Sequence, residues 1–166
     1  RFDNCVGVIA VKGRKEVARI PMPREPVSAA LTPDGKLLLV ANHLPAGAAD
    51  QDEVAACVSV IDTGARKVVT NILLPNGSTT VRDIRISPAG DLAVVAHVVG
   101  QFHLPTTQVE RGWIANNALS FIDIKRQRLL HKVLLDNIDN GAANPWAVTW
   151  TGDGSLVVLS FQPEGR

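Results

Sequence analysis

Two different strand-pair patterns alternate along this 166-residue chain, and each occurs three times. The first pattern opens with Cys5-Val6-Gly7-Val8-Ile9-Ala10-Val11. It returns as Cys57-Val58-Ser59-Val60-Ile61-Asp62-Thr63 and as Ala118-Leu119-Ser120-Phe121-Ile122-Asp123-Ile124, and the copies align without gaps. In each copy a polar turn separates two β-rich runs: Lys12-Gly13-Arg14, Gly64-Ala65-Arg66 and Lys125-Arg126-Gln127. Apolar and β-branched runs around a short polar break predict a hairpin. The second pattern centres on Thr32-Pro33-Asp34-Gly35, Ser87-Pro88-Ala89-Gly90 and Thr151-Gly152-Asp153-Gly154. Pro33 and Pro88 arrive with φ already set for a tight turn, and the closing glycines can take positive φ. These are hairpins as well.

Hairpin, loop, hairpin, loop, repeated every 50–60 residues, predicts four-stranded antiparallel blades. Leu37-Leu38-Leu39-Val40 and Leu92-Ala93-Val94-Val95 are continuous apolar runs, as strands covered on both faces require. A β-sandwich accounts for the strands but not for two interleaved repeats. The expected fold is therefore all-β, a partial β-propeller of two full blades flanked by a hairpin at each end. Residues 1–23 form the second hairpin of one blade, 24–75 a blade, 76–136 a blade, and 137–166 the first hairpin of another. Such an arc is expected to be part of a larger propeller, or to be closed by other copies.

Composition excludes several partners. Seventeen basic residues against 16 acidic ones leave a net charge of +1, so no strong field selects nucleic acid. No apolar run reaches the roughly 18 residues of a membrane span. Cys5 and Cys57 occupy equivalent positions in adjacent blades, roughly 10 Å apart by sheet packing. A disulfide needs Cα atoms within about 7 Å, so two free, mostly buried thiols are predicted.

Long loops are expected to share one rim: residues 43–54 and 98–116 leaving second strands, and 75–79 and 136–144 entering first strands. Binding sites favour long loops on a rigid scaffold, so a protein partner or small ligand is expected there. The candidate residues are His43, His97, His103, Glu110, Arg111, Trp113 and Asn144. His97 and His103, with Glu110 and Asp136 nearby, are candidate metal ligands; the alternative for these imidazoles is a surface or hydrogen-bonded role. Arg111 can clamp a carboxylate and Trp113 can stack on a ligand, or both can pack within the loop. Asn144 opens a first strand, where it can face a channel ligand; the alternative is a Pro145-fixed entry with Trp146 buried. The acidic run Asp50-Gln51-Asp52-Glu53 lacks calcium-loop spacing. No nucleophile elbow, phosphate loop or paired-carboxylate pattern occurs, so the chain alone offers no catalytic assignment.

Val58-Ser59-Val60-Ile61-Asp62-Thr63-Gly64-Ala65-Arg66-Lys67-Val68-Val69 resembles the "VSVIDT…KVV" strand pair of YVTN-repeat propellers. Leu31-Thr32-Pro33-Asp34-Gly35-Lys36 followed by Leu39-Val40-Ala41-Asn42 resembles the hairpin that names that family. The resemblance implies a seven-bladed parent and a bacterial periplasmic, extracellular or cell-surface location. Residues 104–113, 117–119, 134–137 and 141–146 resemble a subgroup often fused to a cytochrome c peroxidase-like domain. That implies a propeller accessory to a redox enzyme, with a lactonase-like hydrolase as another enzymatic alternative. The chain has no Cys-x-x-Cys-His, so any haem would lie in an attached domain.

Overall fold

A computed structural model describes residues 3–101, 114–136, 144–155 and 157–161. Among the described residues, twelve strands form four antiparallel sheets. A two-stranded sheet pairs β1 (Cys5–Ala10) with β2 (Lys15–Pro21). The next sheet runs β3 (Pro26–Leu31), β4 (Leu37–Asn42), β5 (Cys57–Asp62), β6 (Lys67–Leu73) in spatial order. A third runs β7 (Ser78–Ile86), β8 (Leu92–Gly100), β9 (Ala115–Asp123), β10 (Arg128–Leu134), also in order. The last pairs β11 (Pro145–Trp150) with β12 (Val157–Phe161). Within each sheet every neighbour in sequence is a neighbour in space, as a meandering blade requires. No described helix is long and apolar enough to cross a membrane.

The sheets stack face to face, and period-2 alternation sends successive side chains into different interfaces. Leu38 and Val40 of β4 pack with Val6, Val8 and Ile20 of the β1–β2 hairpin. Leu39 and Ala41, on the other face of the same strand, pack with Ile84, Ala93, Val95 and Ile122 of the third sheet. Val94 and Ala96 then pack with Val148 and Leu159 of the last hairpin. This explains the continuous apolar runs: both faces are core. Leu39, Ile61, Ile84 and Ile122 are fully buried, and each such side chain contributes about 1.5–3 kcal/mol. The first strands β3, β7 and β11 pack in succession, whereas the outer strands β6 and β10 barely touch. Sheets close at one end and splayed at the other are blades around an axis.

The turns repeat in atomic detail. Gly35, Gly90 and Gly154 have φ of 72°, 77° and 71°, and each amide donates to the carbonyl three residues back. Each of the latter two turns also meets the turn before it. A Cβ at Gly90 would lie 2.9 Å from Pro33 Cδ, and one at Gly154 3.5 Å from Pro88 Cδ. Gly90→Ala therefore combines positive-φ strain with a clash between blades. It is expected to lower stability by about 2 kcal/mol, read as a reduced urea midpoint at constant m-value.

Bulges repeat too. In the three first-pattern hairpins the register skips Val17, Val69 and Leu130, and all three are exposed. In the inner strands it skips Val27 in β3, Thr80 to Arg82 in β7, and Trp146 in β11. Both cysteines are free, Cys57 buried and Cys5 half-buried. Burial pushes the Cys57 thiol up.

Candidate functional site

The inner-strand bulges define a site. Pro26, Val81 and Pro145 align in sequence, so Val27, Arg82 and Trp146 are equivalent residues of three consecutive blades. Being out of the ladder, their side chains are re-aimed, and they converge with His43 and Val81 around a pocket of about 250 Å³. The Arg82 guanidinium carbon lies over the Trp146 ring, 4.8 Å from its centroid, a cation–π contact. Arg82 Nε is buried without a hydrogen-bond partner. His43 follows β4 and bridges the blades: its amide donates to Glu25 O, and its carbonyl accepts from Val81 N at 3.0 Å. Its Nδ1 lies 2.8 Å from Val81 O. A carbonyl oxygen only accepts, so Nδ1 carries the proton.

One residue beyond Arg82, Asp83 joins three inner strands. Ser28 Oγ of β3 donates to Asp83 Oδ1 at 2.7 Å. The Val148 amide of β11 donates to Oδ2 at 3.1 Å. Arg85 Nη1 pairs with Oδ1 at 2.9 Å. Asp83 is buried, so its lone pairs are filled by protein groups from the blades on either side. It fixes the spacing of the strands that carry Val27, Arg82 and Trp146.

A second pocket, about 390 Å³, lies between the 43–54 and 75–79 loops and is lined by Pro45, Ala49, Gln51, Val54, Gly77 and Thr79. Asn76 pins these loops together: its Oδ1 accepts from Val54 N and its Nδ2 donates to Asp52 O, each at 2.9 Å. Arg24 Nη1 donates to Pro45 O at 3.0 Å. Residues 50–53 stay exposed.

Of the sequence candidates, His43 lines the first pocket. Asn144 is exposed, two residues before Trp146. Trp146 itself is half exposed, contrary to the buried alternative. His103, Glu110, Arg111 and Trp113 lie outside the described residues. His97 is not on the rim. Strand β8 continues past it to Gly100, and its side chain is fully buried within the sheet. Nε2 lies 2.8 Å from Ser120 Oγ and Nδ1 3.3 Å from Val98 O, so both ring nitrogens are engaged by the protein. Burial pushes this imidazole down to about 4. Asp136, the proposed acidic neighbour, instead receives hydrogen bonds from the amide and side chain of Asn117. Among the described residues no group of three or more His, Cys, Asp or Glu side chains is placed to hold a metal ion.

Sequence reasoning missed Arg82, Asp83 and Asn76. The aligned copies held a signal for Arg82: one position carries Val27, Arg82 and Trp146, and a cation among apolar residues at a strand entry is out of pattern. Asn76-Gly77 marks a turn but not the clamp it forms.

No family model matches the chain. It is 27% identical over 161 residues to hydrazine synthase subunit beta of Kuenenia stuttgartiensis, covering 96% of this chain and 40% of that protein. A solved structure of Kuenenia stuttgartiensis hydrazine synthase superposes with a TM-score of 0.80 at 23% identity, covering 94% of this chain and 43% of the matched one. The chain thus spans less than half the length of either, and the likeness in structure supports the fold, a partial β-propeller of stacked four-stranded blades.

Proposed function

We propose that this chain is part of a YVTN-type propeller that serves as a non-catalytic module of a multi-subunit enzyme assembly outside the cytoplasm, with a partner protein seated on the long-loop rim. The observation that carries this reading is the similarity of 96% of the chain to a protein named as an enzyme subunit. The rim supports it physically. The 43–54 loop is long, yet Asn76 and Arg24 hold it in one shape. A loop already ordered loses little entropy on docking. Its cavity, lined by Pro45, Ala49 and Val54, suits an apolar side chain of the partner, and the exposed acids at 50–53 suit a basic surround. In this reading any haem or metal of the assembly belongs to another domain or subunit. The remaining blades of the same propeller cover the exposed apolar residues of the terminal hairpins, such as Ile9, Val158 and Phe161.

The test is zero-length carbodiimide cross-linking of the full-length protein purified with its associated subunits, read by mass spectrometry. Asp50, Asp52 and Glu53 are expected to link to partner lysines. Asp34 and Asp153, in the turns of the opposite face, are expected not to. Links confined to Asp34 and Asp153, or a protein that purifies alone and gives none, would sink the reading.

A further inference from the structure

We propose that the pocket between the inner-strand bulges binds a small organic carboxylate through Arg82. The proposal stands apart from the assembly reading, since it concerns the inner strands and not the rim loops.

Three independent features converge on it. The first is the unsatisfied donor. Arg82 Nε is buried and bonds to nothing, and among the described residues no acid pairs with Arg82. A buried N–H without an acceptor is costly, and a charged one more so. A ligand oxygen removes that cost. The second is geometry. The Arg82 guanidinium carbon sits over the Trp146 ring, a contact that holds the cation at the pocket. It leaves the N–H fork for the two oxygens of a carboxylate. The third is repetition. All three inner strands bulge at this point, yet only the middle one supplies a cation, with Val27 and Trp146 at the equivalent places. Asp83, the carboxylate next in sequence, is not the missing partner: Ser28, Val148 and Arg85 already take its oxygens.

The walls set the ligand class. Val27 and the Trp146 indole, both exposed, offer apolar surface beside Arg82, and His43 directs its Nδ1 proton at Val81 O. Arg82 is the sole permanent charge among the lining residues. One charge flanked by a valine and an indole favours a monocarboxylate with a short hydrocarbon part over phosphate, whose greater charge needs more donors. The volume of about 250 Å³ falls below the roughly 300–1,000 Å³ of pockets for drug-sized ligands, so the acid is one of a few carbons.

The experiment uses the full-length protein, with acetate, propionate and inorganic phosphate as probes at constant ionic strength. Calorimetry is expected to show saturable propionate binding with Kd on the order of 1 mM, as suits so few atoms, with acetate weaker and phosphate weaker still. Arg82→Gln is expected to weaken propionate binding at least about tenfold. Arg82→Lys, which keeps the charge and loses the fork, is expected to do the same. Trp146→Phe is expected to retain calorimetric binding while losing the accompanying change in tryptophan fluorescence. Circular dichroism checks the fold of each variant. In the unaltered protein, propionate is expected to shift the Arg82 Nε–H resonance in NMR, a reading that needs no variant. No saturable carboxylate binding, phosphate binding as tight as propionate, or undiminished binding in a folded Arg82→Gln protein would overturn the proposal.

Discussion

Asp83→Ala is expected to lower the unfolding free energy by about 3–5 kcal/mol, the largest effect of any single substitution outside the apolar core. Removal of the carboxylate strands several groups together. The Ser28 hydroxyl and the Val148 amide lose their acceptor, as does the Ile84 amide, and the Arg85 guanidinium loses its counter-charge. Each buried donor left unpaired costs about 1–3 kcal/mol; Arg85 is half exposed and water takes up its charge, so that pair adds little. The total falls short of a simple sum because the strands can relax. Asp83→Asn separates geometry from charge. Its oxygen can still accept from Ser28, but its NH2 then faces the Val148 amide, donor against donor. About half the loss is expected. Ser28→Ala removes one partner only and is expected to cost about 1 kcal/mol. Urea unfolding of the full-length protein measures all three. Equal stability of Asp83→Ala and wild type would mean that Asp83 does not join the blades.

A clasp of this kind is invisible to pattern reading. Asp83 lies between Arg82 and Arg85, and alternating charge there resembles a solvated face. What made the blades legible was redundancy. Three copies of each hairpin share turn residues, and the turns at 32–35, 87–90 and 151–154 need those residues for reasons local to a few dihedral angles. Strand ends were less legible. The expected 98–116 loop proved shorter, because β8 runs to Gly100 and β9 starts at Ala115. A polar His97 after an apolar run looks like the point where a strand leaves the core. Polarity alone cannot distinguish that from a buried side chain whose partner, Ser120, lies across the sheet. The bulges left no trace because Val27 and Trp146 suit a regular strand as well as a bulged one. The pocket follows from that displacement, so only the folded chain reveals it.

The repeat supplies the physical role of His97, and with it the second large prediction. His97 aligns with Asn42 of the preceding blade, and Ser120 with Ser59. Asn42 Nδ2 donates to Ser59 Oγ at 3.0 Å, and that hydroxyl donates to Asn71 Oδ1 at 2.7 Å. Asn42 also donates to Cys57 O. One blade thus ties its second strand to its third with a buried amide, and the next with a buried imidazole. The two differ in direction, since Asn42 donates to its serine and His97 accepts from its own, and in charge: an amide does not titrate. With Nδ1–H directed at Val98 O, Nε2 accepts from the Ser120 hydroxyl, and the ring is satisfied only while neutral. Burial, aided by Lys132 on β10, lowers its pKa from 6.5 to about 4. Between those values the unfolded chain binds a proton that the folded chain refuses. Stability is therefore fully present above about pH 6.5 and falls as the pH drops toward 4. The loss approaches about 3 kcal/mol, with about 2 reached by pH 5. His97→Asn is expected to abolish this component while leaving stability at pH 7 within about 1.5 kcal/mol of wild type, since the preceding blade already uses that residue against the equivalent serine. The difference in urea midpoint between pH 7 and pH 5, wild type against variant, isolates it from the carboxylates, which are common to both. Equal pH dependence in the two proteins would mean that His97 reaches water in the folded state, and that the second strand ends where its first polar residue stands.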